Sequence, residues 1–341
     1  MLKYVKSRWF VSLFLAVLIA VALYRQYTHR YPRHELFLEY FDTFIEVIYY
    51  CDPKFSIDET GLVEKIQNEL AAANRSFSIY DTLSWPARFN QGEWGNSVIL
   101  PDPLRKVIAF SLKLSGESSG AFDITVHPLV KLWDFRKAKI PTPLQIEETL
   151  KHVGFENLNL VADSVLIRSS SDINIDLGAV AKGFIADSLA DYIQHTPGMI
   201  AGLINVGGNI KTFGKKPVDG GRWKIGVRNP RANDSIWCTL EINDDEAVAT
   251  SGDYERYFLG NDGHRYSHII DPLTGYPVQF TLVGVTVTGH SAMVCDGLST
   301  AIFALGINDG VRFMKTYYPQ FRYLLIENIN GELHQINSPD L

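Results

Sequence analysis

The sequence predicts an α+β fold built on large antiparallel sheets with helices packed against them. Two observations carry this expectation. Strand-like segments outnumber helical ones along the 341 residues. Many neighbouring strands are separated only by short turn clusters such as Ala162-Asp163-Ser164 and Asn330-Gly331, which suits antiparallel hairpins. No fixed-period repeat and no low-complexity linker follows residue 35, so one continuous domain is expected over residues 36–341.

The elements follow in order. Lys3, Lys6 and Arg8 precede WFVSLFLAVLIAVALY, an uncharged apolar run near the lower length limit for crossing a bilayer. The expected division is a cytoplasmic basic segment at 1–8, a signal-anchor or transmembrane helix at 9–24 and a linker at 25–35. The globular part then lies on the periplasmic, extracytoplasmic side of the cytoplasmic (inner) membrane. From about Phe37 to Tyr50, Thr43, Ile45, Val47 and Tyr49 alternate with Phe44, Glu46 and Ile48, the period of a strand. Leu62, Val63, Ile66 and Leu70 give Ile57 to Ala73 a helical period, and the segment FSIYDTLSWPARFN after it breaks that period and reads as a polar loop. Asp102-Pro103 and Thr142-Pro143 are helix starts. Leu158 to Val161 and Val165 to Arg168 form a hairpin leading to Ile173–Asp176. Short strands are expected at Gly202–Val206, Trp223–Val227, Ile236–Ile242, Ala247–Thr250 and Leu282–Thr288, with a tight turn at Gly260–Gly263. Two helices, from Ala292 to Leu305 and on to Tyr318, precede the terminal hairpin.

Composition narrows the function. With 46% hydrophobic and 21% charged residues the chain can bury a sizeable core, and its net charge of -6 argues against a nucleic-acid partner. Cys51, Cys238 and Cys295 are too far apart for a metal knuckle and odd in number, so each reads as a small apolar residue.

Five stretches could carry chemistry. DLGAVAKGFIAD, Asp176 to Asp187, enters a helix through a turn, where unpaired amides and the dipole attract anions; Lys182 serves there as a phosphate contact or as a solvated charge. Asp296 and Thr300 share one helical face, which suits a hard cation as readily as an N-cap with a threonine behind it. His268 ends a strand within YSHIIDPLTGYP and can be a base or a histidine bonded to turn carbonyls. GAFDITVHPLVKLWDF sets Asp123 and Thr125 among apolar residues, as an aromatic heterocycle would need, although His127 and Trp133 could equally be core; Gly207-Gly208 in GGNI permits close approach of backbone or ligand.

Taken together and in order, SIYDTLSWPARFN, GAFDITVHPLVKLW, DLGAVAKGFIAD, NVGGNI, ATSGDYERYF, SHIIDPLTGYP and CDGLSTAIFALG resemble the ApbE family, the FAD:protein FMN transferases. The resemblance implies an α+β arrangement related to the tunnelling fold. It also implies magnesium-dependent transfer of FMN from FAD to a Thr or Ser hydroxyl of an acceptor flavoprotein, such as a membrane-bound or exported electron-transfer subunit, with release of AMP. FAD hydrolysis to FMN and AMP, or a non-catalytic flavin-binding assembly role, is the alternative. By the same resemblance the backbone carbonyl of Ala179, the Asp296 carboxylate and the Thr300 hydroxyl hold the metal. Phe41, Ser78, Ile79, Tyr80, Asp123, Lys182, His268, Ile269 and Ile270 line the dinucleotide, with His268 and Asp296 as the catalytic pair. Phe41-Asp42-Thr43 departs from the family's usual Met-Gly-Thr, which puts a side chain where the isoalloxazine edge lies. The family's lipid-attachment cysteine is also missing, which fits an uncleaved anchor.

Overall fold

A computed structural model describes residues 13–24, 31–40, 43–218, 221–232, 235–260, 263–339 and 341. Residues 13–24 form helix α1, whose side chains are exposed throughout. Among the described residues no helix is long and apolar enough to cross a membrane; the expected anchor at 9–24 falls partly outside them.

The alternating segment after the linker is two strands, β1 (Arg33–Tyr40) and β2 (Thr43–Cys51), paired antiparallel with Tyr40 opposite Thr43. A single strand was expected there. Alternation alone cannot reveal the reversal, because both strands keep a period of two. Helix α2 (Glu59–Phe77) starts on Asp58, whose carboxylate accepts from Gly61 N–H, and buries Leu62, Ile66 and Leu70. Helix α3 (Trp85–Asn90) lies inside the segment expected to be a loop. Its signals are the Ser84 cap, accepting from Ala87 N–H, and Pro86 in the first turn, but six residues are too few to show a helical period. After β3 (Ser97–Ile99) comes α4 (Asp102–Glu117), which buries Leu104, Val107, Ile108 and Leu114. Then follow α5 (His127–Trp133) and α6 (Pro143–Leu150), the latter opened by a full capping box between Thr142 and Gln145.

The hairpin β4 (Leu158–Val161) and β5 (Val165–Arg168) forms a small sheet with β3. Arg168 is its buried pin: its guanidinium donates to the carbonyls of Gly95, Phe89 and Ile173, tying three loops together just before helix α7 (Gly178–Gln194). Next come β6 (Met199–Val206), β7 (Asn209–Phe213), β8 (Trp223–Arg228), β9 (Ile236–Ile242), β10 (Ala247–Gly252), β11 (Tyr257–Leu259), β12 (Arg265–Ser267) and β13 (Leu282–Gly289). The expected tight turn joins β11 to β12; Asn261 and Asp262 at its tip lie outside the described residues. Helix α8 (Ala292–Tyr317) is broken at Gly306, where φ is 75°, so it comprises the two helical pieces the sequence suggests. The chain closes with β14 (Arg322–Ile329) and β15 (Glu332–Asn337).

The main sheet has eight antiparallel strands in the order β1-β2-β6-β7-β10-β13-β14-β15. One face carries Ile45, Val47, Ile204, Val285 and Val287, packed under Val180, Ile185 and Leu189 of α7 and Leu298 and Ile302 of α8. The β8–β9 ribbon covers the other face through Trp223, Ile225 and Leu240. A third cluster of Leu129, Trp133, Ile146, Phe258 and Ile270 joins α5 and α6 to the β11–β12 hairpin, with Trp133 Nε1 donating to the Gly275 carbonyl at 2.8 Å. Cys51 and Cys295 are buried, Cys238 is half-buried, and all three are free thiols.

Candidate active site between helices α7 and α8

Helices α7 and α8 run antiparallel with their backbones in contact. Asp187 of α7 caps the start of α8, accepting from Ser291 Oγ at 2.7 Å, Ala292 N–H at 2.8 Å and Met293 N–H at 3.0 Å. One turn back along α7, Gly183 sits against Ala292 and Met293, where a Cβ would lie 2.5 Å from the Ala292 carbonyl carbon and 2.7 Å from Met293 Cα. Only glycine fits. The Gly183 N–H donates to Asp296 Oδ2 at 3.0 Å. In a regular helix that amide pairs with the carbonyl of Ala179, so Asp296 competes for its donor. A further turn back, Val180 meets Gly297, and this stepping brings the first turn of α7, with Ala179, level with the Asp296–Thr300 turn of α8.

Asp296 is 3% exposed. Burial raises its pKa, partly offset by Lys182, by the Gly183 amide and by a hydrogen bond from the Asn209 side chain. Lys182 Nζ stands 4.0 Å from Asp296 Oδ1, beyond hydrogen-bond reach, and donates to the Gly178 carbonyl at 3.2 Å. Behind the carboxylate, Ser299 Oγ and Thr300 Oγ1 donate to the Asp296 carbonyl at 2.9 and 3.3 Å. Ser251, buried on β10, reaches both hydroxyls, at 2.8 Å to Ser299 and 3.3 Å to Thr300.

His268 directly follows β12. Its Nδ1 lies 3.1 Å from the Arg256 carbonyl and its backbone N–H donates to the same oxygen at 2.9 Å. With Nδ1–H donating, Nε2 carries the lone pair. Burial first, then the cations Arg256 and Lys182, push its pKa down to about 4, so the imidazole is neutral near pH 7. The positive charge of Lys182 acts on His268, Asp296 and Glu255 alike.

The other expected residues lie around this centre in different ways. Asp123 is buried and its pKa is raised to about 6 by that burial. Its carboxylate accepts from Thr125 N–H, Thr125 Oγ1 and Phe155 N–H, each at 2.7 Å, so its oxygens are engaged within the fold. The block it belongs to still abuts α7, since Asp176 N–H donates to the Ile124 carbonyl at 2.7 Å. Ser78 Oγ accepts from the amides of Tyr80 and Asp81, and this turn projects the exposed Tyr80 ring under Arg136, 5.1 Å from its centroid. The side chains of Ile269 and Ile270 point into two separate cores. Phe41 lies outside the described residues.

Sequence reasoning missed three residues of the centre: Ser251, Asn209 and Asp187. Each sits in a stretch that drew attention, but what gives it a role is a partner 48 to 105 positions away.

The donor set fits a hard divalent cation. Carboxylate, hydroxyl and carbonyl are all oxygen ligands, and among the described residues the cation paired with the buried Asp296 is Lys182, 4.0 Å from Oδ1. Among the described residues no three His, Cys, Asp or Glu side chains gather to hold a metal.

A profile of the ApbE family matches residues 41–325. The chain is 32% identical over 299 residues to the FAD:protein FMN transferase of Haemophilus influenzae, covering 85% of each protein. It is 34% identical over 258 residues to the enzyme of that name from Vibrio cholerae, covering 74% of this chain and 76% of that one. Its structure is similar to the flavin transferase ApbE from Vibrio cholerae, with a TM-score of 0.81 at 30% identity over 91% of this chain and 98% of the other. It is likewise similar to the apo flavinyl transferase ApbE of Pseudomonas stutzeri, with a TM-score of 0.79 at 27% identity over 91% and 95% of the two chains. With the ordered motifs and the antiparallel α7–α8 centre, these matches lead to one conclusion: the chain belongs to the ApbE family.

Proposed function

We propose that this protein transfers FMN from FAD to a threonine or serine hydroxyl of an acceptor flavoprotein, with magnesium, releasing AMP. The observation that carries the reading is the buried Asp296 carboxylate where α7 meets α8, bonded by the Gly183 amide at Oδ2 and with Lys182 Nζ 4.0 Å from Oδ1. Asp296, Thr300 and the Ala179 carbonyl would hold the cation, which supplies charge neutralisation to the pyrophosphate. Lys182, held at the first turn of α7, adds a second positive charge where the leaving phosphate develops negative charge. His268 Nε2 takes the proton of the incoming hydroxyl. The hydroxyl oxygen then bonds to the flavin-side phosphorus, the bridging P–O bond breaks, and AMP departs. Little covalent work falls to the protein; positioning and charge do most of it.

The acceptor we favour is membrane-bound or exported, with this domain tethered on the extracytoplasmic side. Support comes from the basic Lys3, Lys6 and Arg8 ahead of an apolar run and from the exposure of Leu13, Phe14, Leu15 and Leu23 on α1.

The test is to incubate the purified protein with FAD, magnesium and an acceptor carrying such a hydroxyl. Covalent in-gel flavin fluorescence with stoichiometric AMP is the expected result. AMP released equally without acceptor would reduce the activity to FAD hydrolysis, and intact FAD would refute both.

A further inference from the structure

Asn209 opens β7 directly after the Gly207-Gly208 turn, where φ is 57° and 92°. That turn is rigid. Gly207 N–H donates to the Phe44 carbonyl at 3.1 Å, Gly208 N–H to Asn205 Oδ1 at 2.9 Å, and a Cβ at 207 would stand 2.5 Å from Thr43 Oγ1. The side chain it presents is 2% exposed and hydrogen-bonds Asp296. A carboxylate oxygen only accepts, so the amide turns its N–H to Asp296 and its oxygen elsewhere. Among the described residues that oxygen has no partner. The neighbouring hydroxyls of Ser251, Ser299 and Thr300, by contrast, are all bonded. Buried amides are kept when both ends are satisfied, and an apolar residue of similar shape would otherwise serve the core better.

Building on the cation reading above, we infer that Asn209 is a positioning residue of the cation centre: its Nδ2–H fixes the Asp296 carboxylate, and its Oδ1 accepts a hydrogen bond from a water carried by the bound ion. Magnesium keeps several of its waters, and groups that orient a ligand or a bound water are worth about 10–100-fold in metal affinity. The GGNI motif thereby acquires a function. Its glycines set the angle at which the amide meets Asp296.

The experiment titrates manganese into the full chain and follows loss of the free-ion electron paramagnetic resonance signal, alongside the metal-free melting temperature. Asn209→Leu keeps the shape and removes both polar ends. The expected result is manganese binding weakened about 10–100-fold with an unchanged or higher metal-free melting temperature. Binding within twofold of wild type, or a loss matched by an equally lowered metal-free melting temperature in both Asn209→Leu and Asn209→Ala, overturns the inference. Asp296→Ala separates the two readings: if it binds manganese like wild type, or wild type binds none, the cation site itself falls and this inference with it. If neither Asn209 variant folds, a manganese-bound crystal structure of the wild type decides. A water bonded to both the ion and Oδ1 supports the role, and an Oδ1 still without a partner overturns it.

Discussion

Gly183→Ala is the smallest change that tests the α7–α8 centre. Mid-helix, replacing glycine with alanine gains about 1 kcal/mol in propensity. Here the new methyl would meet the backbone of Ala292 and Met293, 2.5 and 2.7 Å from its nearest carbons, with the Ala292 oxygen closer still. Carbon atoms rest about 3.5–4.0 Å apart, so the helices must separate by roughly 1 Å. Overpacking of this kind costs about 1–3 kcal/mol, leaving a net loss of about 0–2 kcal/mol. The functional cost is larger. Separation lengthens the 3.0 Å bond from Gly183 N–H to Asp296 and draws Ala179 and Lys182 away from α8. A 1 Å misplacement can lower rate by about 100-fold. The assay is a melting curve beside steady-state FMN transfer and magnesium titration. We expect a small drop in melting temperature with a large drop in kcat/KM and weaker magnesium binding. An alanine variant with wild-type transfer and wild-type magnesium affinity would refute the claim that close contact of these helices builds the site.

Further outcomes follow at Asp187, Asp123 and His268. Asp187→Ala removes three hydrogen bonds and strands two amides at the start of α8, so it should cost about 2–3 kcal/mol in denaturant unfolding, with Asp187→Asn losing less. Asp123→Ala leaves the Thr125 and Phe155 amides unpaired in a buried loop and should likewise destabilise the fold by about 3 kcal/mol. Because its folded pKa of about 6 lies above its ordinary value, ionising Asp123 costs stability as pH rises from about 4 to about 6; a variant lacking the carboxyl should lose that slope. For His268, whose pKa is pushed down to about 4, the base form persists above that value, so kcat/KM should stay level near neutrality and fall only as pH drops towards it. His268→Ala should lower kcat by about 100-fold or more while leaving magnesium affinity unchanged.

Local signals made much of the fold legible. Thr142-Pro143 and Asp102-Pro103 start helices because caps and first-turn prolines act within four residues, and the hairpins at Ala162–Ser164 and Asn330-Gly331 are set by their turn residues. The split of β1 from β2 was not legible, nor was the six-residue helix α3, since neither alters a period long enough to measure. The site divides the same way. Asp296, Thr300 and Lys182 stand in recognisable stretches, but the proposed ligand from Ala179 is a backbone oxygen, which no side chain advertises. Ser251 and Asn209 matter through contacts across the sheet, to α8, that sequence order does not contain. Asp123 looked like a ligand contact from its polar setting, and its three internal hydrogen bonds to Thr125 and Phe155 became visible only with the loops folded together.

A cation bridging α7 and α8, as proposed, would be seen most directly in the anomalous scattering of manganese from crystals of this protein grown with manganese and FAD. One peak is expected in contact with the Asp296 carboxylate, Thr300 Oγ1 and the Ala179 carbonyl, lost in Asp296→Ala crystals. A map with no peak there, or with manganese bound elsewhere while Asp296 pairs directly with Lys182, would contradict it.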